Sequence, residues 1–444
     1  MPYYQFQLTP LTPIHIGTGE GLEPFEYVVA GNTLYRFTLD DFVLTLAREE
    51  QARFVDLVGR SVPATRRFVA EHVGEAVEAA RFTATVSTAA RALYDGRMEG
   101  GAAHPEVAAC IRTSDQAYVP GSSLKGALRT ALLYHAMEKD NPERDARKLE
   151  GATFGFEHWR VQQDPFRAFK VGDGEPLAER TRVRAVAVNT QRGGQWSEDV
   201  AMLVETVPGV VSDNVTAVSE HAVTFDESFY RYHERAFRLD PGAVLAACRD
   251  FYHKHLAEEH AFVQGLPATA AAYESLAGRA EELPDNACLV RLAWGSGRDA
   301  TTVAYGLRGS RSPASRRLTA DGFPLGWAEL AMFDAEGQPL AAEAMEVEIP
   351  APEPRKKERK EGPQRLGDLQ IGMMLEGRVT NTVRFGAFVD VGLDKEGLIH
   401  ISKLAEGFVE RTEAVVRRGN RVRVEVIRVD LDKRQFGLRL VEVL

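Results

Sequence analysis

Three segments of the chain place glycine, serine and cationic side chains at spacings suited to the oxygen atoms of phosphates. The first is Tyr118-Val-Pro-Gly-Ser-Ser-Leu-Lys-Gly-Ala-Leu-Arg129. Pro120-Gly121 makes a turn, Ser122 or Ser123 caps the helix that follows, and Leu124, Leu128, Ala131 and Leu132 recur at helical spacing. Such a helix start offers free amides to an anion, and Lys125 and Arg129, four residues apart, add charge on one face. It is not a Walker A loop, because Lys125 precedes Gly126 instead of following a glycine in G-x-x-x-x-G-K-[ST]. The same residues also fit a plain capped helix with two solvated cations.

The second segment is Gly295-Ser-Gly297 followed by Arg298, Arg308, Ser310, Arg311, Arg316 and Arg317, ending in Pro324-Leu-Gly-Trp327. Small residues let the backbone approach a ligand, and arginine and serine donate to phosphate oxygens or, for arginine, stack on bases. A solvated basic loop is the plainer alternative. The third is Pro13-Ile-His-Ile-Gly-Thr-Gly-Glu20, where Gly17 and Gly19 can cradle phosphate and His15 can serve as an acid or base. A histidine between two isoleucines is more often packed than catalytic, and the sequence pairs no second histidine or carboxylate with it.

These segments need sheets and helices to hold them. Residues 4–16, 27–37, 81–86, 182–189, 200–207 and 222–225 read as strands, and 39–58, 69–80 and 122–138 as helices. Residues 227–262 carry helical patterns broken near Pro241-Gly242. The stretch from Pro350 to Pro363 holds four prolines and eight charged residues and reads as an extended linker. After it, 375–382, 386–391 and 421–429 alternate apolar and polar residues between punctuating glycines, the pattern of a small β-barrel. There Phe385 and Phe388 offer flat faces to bases, His400 stacks or hydrogen-bonds beside them, and Arg384 and Arg434 engage phosphates. In the plainer reading the two phenylalanines belong to the core.

At 444 residues, with 44% apolar and 27% charged side chains, the chain is long enough for about three domains and resembles neither a disordered nor a fibrous protein. No apolar run approaches the roughly 20 residues of a membrane span, so a cytoplasmic protein without membrane contact is expected. Cys110, Cys248 and Cys288 are far apart, and neither a disulfide framework nor a metal or other cofactor is expected. The net charge of −10 argues against nucleic acid as a partner, but the charges segregate. Six arginines between 291 and 318 face one acid, Asp299, while acids gather at 258–285 and 329–353. This predicts one basic and one acidic surface.

The order Thr12-Pro-Ile-His-Ile-Gly-Thr-Gly19, the Tyr118–Arg129 motif, Phe154-Gly155 with Asp164-Pro-Phe-Arg167, Gly295-Ser-Gly297, and Ser315-Arg-Arg-Leu318 with Pro324-Leu-Gly-Trp327 resembles the RAMP proteins of type III CRISPR effector complexes. It is most similar to the cap subunits of the type III-A, or Csm, complex. The resemblance implies an α+β chain of two ferredoxin-like (RRM-type) RAMP domains, placed at 1–197 and 198–349. It also implies a noncatalytic RNA-binding subunit of an antiviral ribonucleoprotein, capping the complex at the 3′ end of the guide (CRISPR) RNA, with the backbone RAMP and small subunits as partners. Other RAMP lineages cleave guide RNA with a histidine, which keeps a ribonuclease using His15 as the alternative. The tail beyond a linker at 350–366 resembles a second family, the S-one RNA-binding OB-fold module. The matching residues are Gly377-Arg-Val379, Phe385-Gly-Ala-Phe-Val389, Gly397-Leu-Ile-His-Ile-Ser402, Gly419-Asn-Arg-Val-Arg-Val424, Asp430 and Arg434. This resemblance places an RNA face at Phe385, Phe388, His400, Asp430 and Arg434 within an all-β domain at 367–444, able to bind target single-stranded RNA as well as guide.

Overall fold

Residues 6 and 8 of the first strand, Tyr3–Pro10, are apolar and buried, while Gln5 and Gln7, alternating with them, turn to Glu220, the pattern a half-buried strand requires. The computed structural model describes residues 3–100, 105–137, 145–157, 160–199, 201–233, 237–302, 313–340, 366–383, 385–393, 396–405, 411–417, 419–430 and 435–444. Arg308, Ser310, Arg311, Arg384, Arg434 and nearly all of the expected linker lie outside the described residues. The chain forms two compact units, Met1–Ala351 and Pro352–Leu444.

In the first unit Tyr3–Pro10 is the centre of an antiparallel five-stranded sheet, ordered Ala287–Arg291, Trp327–Phe333, Tyr3–Pro10, Ser219–Phe225, Phe169–Val171. Phe6 stands opposite His221 on one side and Met332 on the other. Helices Gly121–Ala136 and Pro241–Phe262 join it through one core that contains Phe6, Leu8, Leu124, Leu128, Phe251 and Trp327. Setting aside the extra edge strand Ala287–Arg291, the chain order is strand, helix, two strands, helix, strand, with the last strand beside the first. That is the ferredoxin-like arrangement.

A nine-stranded mixed sheet is built around the long strand Arg182–Arg192, which pairs with Phe82–Val86, Gln195–Glu198, Met202–Thr206 and Ser315–Thr319. One of its edges is Gly17–Leu22, which pairs with Val107–Cys110. The two sheets therefore interleave along the chain. The expected boundary between 197 and 198 falls inside Gln195–Glu198, and both sheets draw strands from either side of it. Periodicity reports which face of a strand is buried and carries no information on which distant strand it will pair with.

Smaller departures have local causes. The expected helix 39–58 is two helices, Leu39–Thr45 and Arg48–Leu57, because Leu46 and Ala47 are extended. The 27–37 stretch is a hairpin that turns at Gly31 in the left-handed region. Helices Thr88–Gly100 and Pro267–Glu281 have no counterpart in the sequence reading, since alanine-rich faces give little apolar contrast.

The second unit is a closed five-stranded barrel in the order Met374–Val383, Gly386–Asp390, Gly397–His400, Gln435–Val443, Arg421–Asp430. Val379, Val389, Ile399, Val424, Phe436 and Leu438 fill it. Gly386 passes so close to the Ile399 carbonyl that a Cβ there would lie 2.1 Å from the oxygen, which fixes glycine at the start of its strand.

Candidate nucleic-acid interface

The three glycine-rich segments, far apart in sequence, meet. The Trp294 amide donates to the His15 carbonyl at 3.1 Å, and the Gly326 amide to that of Pro13 at 3.0 Å. The loop between them turns through left-handed backbone at Ala293, Gly295 and Gly297. Its far side faces the start of helix Gly121–Ala136, where Ser122, Ser123, Gly126 and Thr130 line a cleft of about 200 Å³ with Ala293, Ala300 and Thr301. Gly17 and Gly19 lie on the exposed edge strand that follows His15. Of these residues, Gly17, Gly19, Ser122, Gly126 and Arg298 are exposed.

Several side chains expected to meet phosphate are instead engaged internally. Lys125 Nζ donates to the carbonyls of Phe166 and Phe169, both at 2.6 Å, and burial pushes its pKa down. Arg129 is held by Asp164 at 3.0 Å and Glu150 at 2.8 Å, over the ring of Phe166. Lys125 and Arg129 therefore staple the helix to the Asp164–Phe169 turn. The amide of Gly121 is already taken by Asp173 Oδ1 at 2.9 Å, so the protein's own carboxylate occupies the helix start.

Arg316 is only 8% exposed. Its guanidinium binds Glu259 through Nε at 2.8 and 2.9 Å, and Arg291 reaches the same carboxylate at 2.9 Å. Tyr273 donates to Glu259 as well, and His255 Nε2 lies 3.1 Å from Arg291. Burial alone would raise the Glu259 pKa, but the two arginines outweigh it and hold it at about 2, while burial drives His255 to about 3. Acids and arginines that segregate along the sequence are here folded onto each other, so the expected separation into basic and acidic surfaces does not hold for this pair. Arg298 is exposed and lies 3.4 Å from Asp299.

His15 is 5% exposed, its Nδ1 bonded to the Glu205 carbonyl at 2.7 Å and its ring set edge-on to Trp294. Burial lowers its pKa, so the ring is neutral and braces the loop. This position gives the ribonuclease alternative no exposed imidazole. Cys110, Cys248 and Cys288 are buried free thiols, as expected of small core residues.

Arg317 is exposed, with its guanidinium carbon 4.7 Å from the centre of the Trp294 ring. Alternation along Ser315–Thr319 explains the contrast with its neighbour, since Arg316 shares the inward face with Leu318 and Arg317 does not. Trp294, Glu259 and Asp173 also shape this region, and none of them stands among the residues expected from sequence. Only Trp294 carried a signal, its place directly before Gly295-Ser-Gly297.

On the barrel, pairing of Gly386 with His400 and Phe388 with Leu398 puts these residues on the outer face, while Ala387, Val389 and Ile399 point inward. Phe385 is 52% exposed and Phe388 half-buried. His400 is exposed, and its Nδ1 accepts from the Ser402 amide at 3.3 Å. Asp430 accepts from Arg428 at 3.2 Å. The face therefore combines two aromatic rings with an exposed imidazole.

Among the described residues no group of three or more histidine, cysteine, aspartate or glutamate side chains could hold a metal ion, and no helix is long and apolar enough to cross a membrane. The model of the RAMP superfamily matches residues 7–262, and that of the S1 RNA binding domain matches 368–439. A chain of a Csm–crRNA–target RNA ternary complex from a type III-A CRISPR-Cas system superposes with a TM-score of 0.56 at 21% identity, over 74% of this chain and 100% of that one. Csm5 of T. onnurineus gives 0.54 at 20% identity over 72% and 99%. Among curated relatives, Protein YhgF of Escherichia coli is 45% identical over 91 residues, and the bS1 homolog of the small ribosomal subunit of Bacillus subtilis is 40% identical over 79. These two matches cover 20% and 18% of this chain, and 12% and 20% of the relatives' own length.

Proposed function

Because the chain belongs to the RAMP superfamily and carries an S1 RNA-binding barrel, we propose that it is a noncatalytic subunit of a type III CRISPR ribonucleoprotein. Its place is the 3′ end of the guide RNA, in the cytoplasm, beside the backbone RAMP and small subunits. The observation that carries this reading is the meeting of three glycine-rich segments, two of them joined by the Trp294–His15 main-chain bond and the third facing the same loop across the cleft. Exposed amides and hydroxyls contact sugar and phosphate without reading bases, as a guide of arbitrary spacer sequence demands. The barrel adds a sequence-tolerant grip on single-stranded RNA, either the protruding guide or its target. A tether of the length and composition of 350–366 raises the effective concentration of that grip to about the millimolar range.

The direct test is to purify the tagged protein from its native host, sequence the RNA and identify the proteins that accompany it. Short RNAs sharing a 5′ repeat tag with ragged 3′ ends, together with CRISPR subunits, are expected. Mixed messenger and transfer RNA with no CRISPR subunit would overturn the reading.

The geometry also separates two residue classes. Arg317→Ala leaves thermal stability unchanged and weakens guide binding by roughly tenfold, the scale of one charge-assisted contact. Lys125→Met acts in the opposite way, lowering the thermal midpoint while the folded fraction keeps its RNA affinity. Thermal melts and filter binding on the same preparations check both, and a stable Lys125→Met protein with lost RNA affinity would return that lysine to the interface.

A further inference from the structure

The helices Pro241–Phe262 and Pro267–Glu281 pack together, and a groove of about 270 Å³ runs between them. Its walls are Leu256, Ala257, Ala277 and Ala280, with His253 and His260. The spacings of three and four place these residues on one face of each helix. Small side chains at such positions leave a channel that the ridge of another helix fills.

The rim is acidic. Glu281 lines the groove, Glu274 lies 4.0 Å from His260 Nε2, and Glu258 is exposed next to Ala257. The cations of the same two helices are committed elsewhere. Arg249 donates to the carbonyls of Ala287 and Pro284, Lys254 to the hydroxyl of Tyr134, and Arg279 pairs with Glu329. On the floor His260 Nε2 is buried with no hydrogen-bond partner, a polar atom left for an incoming group to satisfy.

We propose that this groove is a protein-docking site that receives one face of an α-helix from a partner chain, carrying apolar side chains three and four residues apart flanked by lysine or arginine. The carboxylates repel phosphates, so this face is not a second RNA surface. The inference does not depend on the guide-RNA reading, because it rests on the groove and its charge alone.

Gly278 supplies the test, since a Cβ added there meets nothing within 4 Å. A benzoyl-phenylalanine at Gly278 of the full chain, activated by light in the assembly purified from its host, should crosslink to a basic amphipathic helix of another protein. Ala257→Trp, at an exposed groove position, should lower recovery of that protein by about tenfold, a hot-spot-sized loss, while RNA recovery with the chain is unchanged. The pair Glu258→Lys and Glu281→Lys should do the same. Crosslinks to RNA, to a segment without basic flanks, or to this chain only would overturn the proposal, as would undiminished recovery with both variants. RNA sequencing of the same material reports separately on the guide reading.

Discussion

Replacing both Phe385 and Phe388 by alanine is expected to weaken binding of a short single-stranded RNA to the full chain by at least roughly 30-fold. Stacking on an aromatic ring contributes about 1 to 3 kcal/mol per base, so two lost faces amount to about 2 kcal/mol or more. The exposed position of Phe385 and the outward pairing of Phe388 keep both rings out of the barrel's filled centre. The thermal midpoint of the barrel should accordingly change little. Fluorescence anisotropy at two salt concentrations checks the claim, because stacking persists where phosphate contacts weaken. An affinity unchanged in the double variant would show that RNA does not lie on this face.

The second large effect is on stability. Glu259→Gln leaves Arg291 and Arg316 buried without their counter-charge, and removing one partner of such a buried set costs about 3 to 5 kcal/mol. Denaturant unfolding of the full chain should show the transition of the larger unit moving to lower concentration by a corresponding amount. Acid should reproduce part of this in the native protein. The Glu259 carboxyl is held at about 2, below its ordinary 4.5, so its contribution is complete above about pH 5 and is lost as the pH falls toward 2. His255 is held at about 3 against an ordinary 6.5, so the unfolded chain takes up a proton that the folded chain refuses, and stability also falls as the pH drops below 6.5. Both groups act in the same direction. A midpoint insensitive to pH between 6.5 and 3 would contradict the assignment.

How far the sequence carried these conclusions differs from element to element. The barrel was legible because its strands alternate cleanly between glycines, and the outward set of Phe388 and His400 follows once pairing fixes the register. Arg316 and Arg317 show where reading stopped. The local signal was present, since Leu318 marks the buried face that Arg316 shares, yet the partner that makes burial tolerable, Glu259, lies 57 residues earlier on a helix. Lys125 and Arg129 carried no such local signal. Their spacing is the same for a phosphate site as for a staple onto Asp164 and Phe166, and only the fold decides between them. The interleaving of the two sheets was illegible for the same reason, because strand pairing across hundreds of residues leaves no trace in any local window.

The central place of Tyr3–Pro10 has a consequence for how the protein is made. Its neighbour Trp327–Phe333 pairs with it from Gln5 opposite Phe333 to Pro10 opposite Ala328, and just past the strand the Trp327 amide donates to the Thr12 hydroxyl, a separation of 315 residues. At roughly 5 to 20 residues per second, the ribosome needs tens of seconds after the first strand emerges before its last partner exists. Throughout that interval one edge of Tyr3–Pro10 is open to pairing with another chain, whereas the barrel's strands all lie within its own short stretch of sequence. Yield of the larger unit should therefore depend on translation speed and chaperone supply far more than yield of the barrel does.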